Sequence, residues 1–290
     1  MSEAAPHGDE GTLLGRHGRR LRWRGWSPAG DQPARAVVTI AHGFGEHGGR
    51  YAEVAARLNQ AGYVVYAPDH HGHGRSAGRR GRIVLADAVA DLDLFLQSVA
   101  VERNPGSAQF LLGHSMGGAL ALRYAIAHQR RLSGMVLSAP LAELESGAAL
   151  RSLARALGLV APWLPVSRID PQLVSRDATV VQAYVDDPLN HHGAISAAVA
   201  REFVCHVQTL AEDVRQLTLP TLLLWGTEDR LCPPRGAQML AERIGAEDLS
   251  TDAYEGLFHE LLNEPEREQV MRRIVAWLDR RTTGVADGER

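Results

Sequence analysis

Two serines sit at the centre of a G-x-S-x-G pentapeptide: Ser115 in Gly113-His114-Ser115-Met116-Gly117, and Ser76 in Gly74-Arg75-Ser76-Ala77-Gly78. The pattern matters when it forms a tight strand-to-helix turn, because small flanking residues then tolerate strained backbone angles at the serine and its hydroxyl stands exposed over a helix N-terminus. Such a serine can attack an ester carbonyl if a base takes its proton. Ser115 directly follows the apolar run Phe110-Leu111-Leu112 and precedes a helix-forming run. Ser76 follows a His/Gly loop and precedes Arg79-Arg80-Gly81-Arg82. Strand–turn–helix context therefore selects Ser115.

A serine of this kind needs a histidine base and an acid, and on an elbow-bearing sheet the three run Ser, acid, His along the chain. The apolar run Leu222-Leu223-Leu224-Trp225 leads into Gly226-Thr227-Glu228-Asp229-Arg230, so the acid is Glu228 or Asp229. Of 13 histidines only His259 lies beyond this point, in Gly256-Leu257-Phe258-His259-Glu260. The expected roles are attack by Ser115, proton transfer through His259, and tautomer fixing and charge stabilisation by the acid. Acyl transfer also needs an oxyanion hole. One donor is expected from the N–H of Met116, after the nucleophile, and one from Phe44 in the loop His42-Gly43-Phe44-Gly45. Losing one such donor typically costs roughly 10²–10³-fold in rate.

These residues must be held by a scaffold. Short, β-branched or leucine-rich runs at 36–40 (AVVTI), 63–67 (YVVYA), 110–112, 135–137 and 222–225 are apolar on both faces, as buried parallel strands are, and 21–26 opens the series. Between them, 51–61, 86–100, 119–127 and 264–278 carry helical patterning; in the last, Val270, Ile274 and Trp277 share one face. This alternation predicts an α/β fold: a mostly parallel central sheet with helices on both faces. It breaks between 142 and 216, where helical patches such as 150–160 alternate with Pro162, Pro165, Pro171 and Pro188. The expected organisation is a loose N-terminal tail (1–20), a core from 21–141 and 217–282, an inserted mostly helical cap (142–216), and a C-terminal tail (283–290).

Composition excludes other chemistry. The 290-residue chain is 45% hydrophobic with a formal net charge of −3, which suits one large domain with an insertion and gives no support to a nucleic-acid partner. It contains no lysine, so a pyridoxal Schiff base and a Walker A loop are excluded, and no cofactor is expected. Cys205 and Cys232 form no Cys-x-x-Cys pair. Residues 1–10 carry no apolar signal core, and no segment is apolar for long enough to span a bilayer. A cytoplasmic protein is expected, with peripheral membrane contact through the cap. The histidine-rich Asp69-His70-His71-Gly72-His73 and the pair His191-His192 lack a zinc-binding pattern; the first is read as structural, the second as solvent-exposed, and no metal is expected.

Taken together, AHGFGEHGGRY (41–51), APDHHGHGRSAG (67–78), LLGHSMGG (111–118), LSAP (137–140), AYVDDPL (183–189), GTEDRLC (226–232) and YEGLFHE (254–260) run in order over nearly the whole chain. In these pieces the chain resembles the monoacylglycerol lipases, within the wider group of lysophospholipase-like α/β hydrolases. The resemblance implies the α/β-hydrolase fold, selects Asp229 over Glu228, and implies a monoacylglycerol or similar lipid ester as substrate. It also implies glycerol head-group binding by Glu46, Arg50, His114 and Tyr184, although Glu46 and Arg50 equally suit a structural ion pair. The sequence departs most in the cap, and at Pro233-Pro234 after Cys232; Cys232 either borders the site or is an inert buried thiol.

In the cap, Leu150, Leu153, Leu157 and Val160 share a helical face flanked by Arg151 and Arg155, and Leu159, Trp163 and Leu164 extend the apolar patch. Packing onto the core and docking on a lipid surface both fit this pattern. A broad carboxylesterase or lysophospholipase is the nearest alternative activity. Ser115 at the elbow argues against aspartate-nucleophile hydrolases on this scaffold. A non-catalytic receptor would not need every triad position filled. Acyl-chain preference and oligomeric state are not readable from the sequence.

Overall fold

A computed structural model describes residues 7–30 and 33–282. Its centre is an eight-stranded sheet in the order β1-β2-β4-β3-β5-β6-β9-β10. The strands are β1 (His7–Leu14), β2 (Arg20–Ser27), β3 (Ala36–Ala41), β4 (Tyr63–Pro68), β5 (Gln109–His114), β6 (Gly134–Ser138), β9 (Thr221–Gly226) and β10 (Leu249–Tyr254). Pairing is parallel from β4 through β10, and antiparallel only where β2 joins β4 and β1 joins β2. Successive side chains of a strand enter opposite layers, as strand geometry demands. Val37, Leu111, Leu137 and Leu223 pack with α2 (Leu85–Phe95), α3 (Met116–His128) and α7 (Pro234–Arg243). Val38, Leu112, Val136 and Leu222 pack with α1 (Ala52–Gln60) and α8 (Arg267–Thr282), where Trp277 is fully buried.

The stretch read as a loose tail is in part a strand. Residues 7–14 pair along their whole length with β2, and Glu10, directly opposite Arg24, forms an ion pair with it at 3.4 Å. The segment is polar because β1 is an edge strand; cross-strand partners rather than a hydrophobic pattern of its own hold it there. Residues 1–6, 31–32 and the predicted C-terminal tail (283–290) lie outside the described residues.

The interruption of the alternation corresponds to α4 (Ala148–Val160), two short antiparallel strands β7 (Pro165–Ser167) and β8 (Ile195–Ser196), α5 (Ala178–Asp186) and α6 (Ala197–Asp213). The small ribbon carried no apolar run to reveal it; all three residues of β7 are exposed. Helix α6 does two jobs. Its first half packs with Phe44, Met116 and Leu120 through Val199 and Phe203, whereas Leu210 joins the sheet-covering layer. Arg123 of α3 fastens it, donating from Nε to His206 Nδ1 (2.9 Å) and from Nη2 to the His206 carbonyl (2.7 Å).

Loops leave the carboxyl ends of β3, β5, β6, β9 and β10 along one edge of the sheet, where open α/β sheets carry their sites. The last two depend on close backbone contact. A Cβ on Gly226, at the end of β9, would lie 2.2 Å from the Leu257 carbonyl and 2.6 Å from that of Phe258. Gly226→Ala must therefore push the 257–259 loop away from the β9 loop. The expected result is a loss of about 1–3 kcal/mol of stability in denaturant unfolding, together with a fall in esterase activity out of proportion to the small fraction unfolded. Unchanged activity would mean that the loop spacing is not set by this contact.

Candidate active site

Ser115 follows β5 directly and caps α3, with φ 54° and ψ −120°. A serine in this region is strained and must be held by its surroundings. Its N–H donates to the Ser138 carbonyl (3.1 Å), and its own carbonyl accepts from Leu141 (3.0 Å), Gly118 (2.9 Å) and Ala119 (3.2 Å). Helix α3 can start this close to β3 because residue 117 is glycine: a Cβ there would sit 1.9 Å from the Ala41 carbonyl. The other G-x-S-x-G serine is fully engaged elsewhere. Ser76 Oγ donates to the Asp69 carbonyl (2.6 Å) and accepts from the Arg22 N–H (2.8 Å).

Asp229 and His259 meet at the sheet edge. His259 Nδ1 lies 2.8 Å from Asp229 Oδ2, and the other carboxylate oxygen accepts the N–H groups of Leu231 (2.8 Å) and Cys232 (2.9 Å). Both residues are buried, while Glu228 points to solvent. With Nδ1–H donating to the carboxylate, Nε2 is left as the basic nitrogen. Burial pulls the imidazole pKa down, but the Asp229 charge and hydrogen bond outweigh it, and the pKa is raised above 6.5. Ser115 Oγ makes no hydrogen bond to His259 here; it lies 3.9 Å from Cys232 Sγ. Burial, then the Asp229 charge, pushes the Cys232 thiol pKa far up, so this cysteine is a protonated neighbour of the hydroxyl.

Ser115, His259, Phe44 and Met116 share one cavity of about 340 Å³. Among the described residues neither the Phe44 nor the Met116 N–H has an acceptor. The loop bearing Phe44 is braced by histidines. His42 Nδ1 lies 2.8 Å from the Gly43 carbonyl and its Nε2 accepts the His70 N–H (3.0 Å). His71 bonds Asp91 (3.1 Å), and His73 reaches the His71 carbonyl (3.1 Å). His191, expected in solvent, instead lies edge-on to the Phe44 ring at 6.0 Å, its N–H bonded to the Gly45 carbonyl (2.7 Å).

The cavity wall is of two kinds. Leu141, Leu144, Ile169, Leu173, Val174, Ile195 and Phe203 supply apolar lining; Glu46, His114, Tyr184 and Glu260 supply polar lining. Arg50 does not reach the wall. It sits behind it, bonded to Glu46 (2.7 Å) and bidentately to Glu260 (2.7 and 2.8 Å), with its guanidinium 5.0 Å from the centre of the Tyr184 ring. Glu46 also accepts from the Gly43 N–H (2.5 Å) and the Tyr51 hydroxyl (2.8 Å). Of the four residues that the resemblance placed at a head group, three thus line the cavity and Arg50 supports them. Glu260 and Tyr51 escaped sequence reasoning. Glu260 adjoins His259, but its partner Arg50 lies 210 residues away.

Burial alone would raise the Glu46 pKa, but Arg50, then His114 and the loop N–H, bring it down to about 2. Relative to an unfolded carboxyl near 4.5, this contribution to stability is complete above that value and disappears as pH falls towards 2. Arg50→Met, which strands two buried carboxylates, should cost about 3–5 kcal/mol at neutral pH. The difference from wild type should narrow on acidification below pH 4.5. Urea unfolding across this range checks both; a gap independent of pH would mean that the carboxylates are not held by Arg50.

A family described as Hydrolase_4 (serine aminopeptidase, S33) matches residues 32–266. The chain is 39% identical over 272 residues to a monoacylglycerol lipase of Mycolicibacterium smegmatis, covering 93% of this chain and 96% of the relative. It is 36% identical over 291 residues to a monoglyceride lipase of Homo sapiens, covering 97% and 93%. Among solved structures, the monoacylglycerol lipase of Paleococcus ferrophilus superposes with a TM-score of 0.80 at 33% identity, over 90% of this chain and 99% of that one. The chain belongs to the Hydrolase_4 family of α/β hydrolases and, within it, to the group of the monoacylglycerol lipases.

Proposed function

We propose that this protein hydrolyses monoacylglycerols to fatty acid and glycerol through an acyl-enzyme on Ser115. The observation that carries this reading is a single cavity lined by Ser115, by His259 with Asp229 bonded behind it, by apolar side chains and by buried polar ones. Ser115 turns about its side-chain bond to His259 Nε2, gives up its proton and attacks the ester carbonyl. The Phe44 and Met116 N–H groups receive the developing oxyanion. His259 returns the proton to the glycerol oxygen as the C–O bond breaks. Water then repeats the sequence against the acyl-enzyme. The apolar wall suits the acyl chain. Glu46, His114, Tyr184 and Glu260 suit a small diol, which a bulky triglyceride would not offer.

The cap, taken as 142–216, is read as a lid whose α4 meets lipid. Leu150, Leu153, Leu159 and Val160 are exposed rather than packed on the core, and Trp163 continues the patch at 66% exposure. Only Leu157 is partly covered, and Arg151 is turned back onto Glu143 and the Leu144 carbonyl (2.8 Å). Among the described residues no helix is long and apolar enough to cross a membrane, so contact would be peripheral.

Fatty-acid release from monooleoylglycerol tests the reaction. Wild type should be active, and Ser115→Ala should lose both turnover and fluorophosphonate labelling; labelling without release of fatty acid would keep the nucleophile and discard the substrate. Because the neutral imidazole is the base and its pKa is raised, activity should climb as pH rises through a midpoint above 6.5 in kcat/KM. A midpoint below the ordinary histidine value would remove Asp229 from its proposed role. Leu150→Glu/Leu153→Glu should slow turnover of dispersed monooleoylglycerol and spare a soluble short-chain ester. Equal loss on both would place α4 in packing rather than at a lipid surface.

A further inference from the structure

A second cleft lies where the cap meets the core, outside the catalytic cavity. The loop Arg79-Arg80-Gly81-Arg82 forms one side, and Pro162, Trp163, Pro165 and His191 contribute to the other. All three arginines are exposed, and among the described residues none has an acidic partner. Most arginines of the chain, whose net charge is −3, are paired with Asp or Glu, Arg16, Arg19, Arg22, Arg24 and Arg75 nearby among them; this loop gathers three without such a partner within four residues. Three uncompensated cations thus face a cleft of about 290 Å³ whose rim carries an exposed tryptophan.

We propose that this cleft is a head-group site for anionic phospholipid, through which the protein docks cap-first on negatively charged bilayers. Arginine forks match phosphate oxygens geometrically, and a tryptophan beside them suits the boundary between head groups and acyl chains. The apolar neighbours select a bilayer over a nucleic acid. Leu159 and Val160, four and three residues before Trp163, are 68% and 73% exposed and offer nothing to a sugar–phosphate backbone. The cleft also neighbours the substrate cavity along the chain. Pro165 lines the first while Ser167, Arg168 and Ile169 line the second, so one short segment walls both. A phosphate held by Arg79, Arg80 and Arg82 would therefore bring the wall of the substrate cavity to the bilayer surface.

The proposal rests on the reading that the cap meets lipid, and the experiment separates the two. Flotation is compared on vesicles of phosphatidylcholine alone and of phosphatidylcholine with phosphatidylglycerol added, for wild type, R79S/R80S/R82S and R79K/R80K/R82K. Hydrolysis of a soluble short-chain ester serves as the folding control. Wild type should prefer the anionic vesicles and be released by added salt. The serine variant should bind them at least roughly tenfold more weakly, since each basic residue near such a surface contributes separately. The lysine variant should keep most of the binding, and the soluble activity of both should be unchanged. Equal binding to both vesicle types would leave α4 as a lipid face and overturn the arginine site. Undiminished binding by the serine variant would also overturn it, as would salt-insensitive binding by wild type. Absence of binding to either vesicle would overturn the site and the lipid-facing cap together, while leaving hydrolysis of the ester untouched.

Discussion

The backbone at Ser115, with φ 54° and ψ −120°, lies where a serine does not settle by itself, and the surrounding structure is arranged to keep it there. Helix α3 must begin at once, or the hydroxyl would not stand over its N-terminus. It can do so only because Gly117 lets the helix press against the Ala41 carbonyl of β3. The strand end of β6 then closes the other side, with Ser138 accepting from the Ser115 N–H and Leu141 donating to its carbonyl. Three consecutive strands of the sheet are thus committed to one residue's conformation. The loop after β3, which carries Phe44, inherits its position from the same contact.

The elements were legible where their residues faced a dry environment. Runs such as 36–40 and 222–225 are apolar on both faces because helices cover both faces, and they read as strands without ambiguity. Ser115 and the late histidine could be singled out because chain order restricts them so tightly. The choice between Glu228 and Asp229 was not readable from spacing: what separates them is that one carboxylate turns inward onto two backbone N–H groups and the other faces water. Strand β1 was missed because an edge strand is held by its neighbour's register, and Arg24 opposite Glu10 carries no local signature. Glu260 was missed for the same kind of reason, since its partner is Arg50, far away in the chain.

The polar wall of the cavity has its own logic. Glu46 and Glu260 bring two carboxylates close to the reacting centre, where unpaired negative charge would oppose an oxyanion. Arg50 lies between them from behind, so the pair is neutralised in part without a cation entering the cavity. The carboxylate oxygens and the Tyr184 and His114 side chains are left at the surface of the site as hydrogen-bonding groups. By its contacts the Glu46–Arg50 pair is scaffolding, and of the two only Glu46 lines the cavity.

The complete absence of lysine acquires a meaning at this position. An ammonium buried between two carboxylates can be coaxed into giving up its proton as its surroundings change, and its charge then varies with solvent and ligand. A guanidinium does not lose its proton under any condition in which the fold survives. The electrostatic background against which Ser115 and His259 work is therefore fixed from one side. When a substrate enters and displaces water from the polar wall, Arg50 keeps its charge, and any adjustment in local proton balance must fall on the carboxylates and imidazoles. In an engineer's terms, the site has a voltage reference that does not drift.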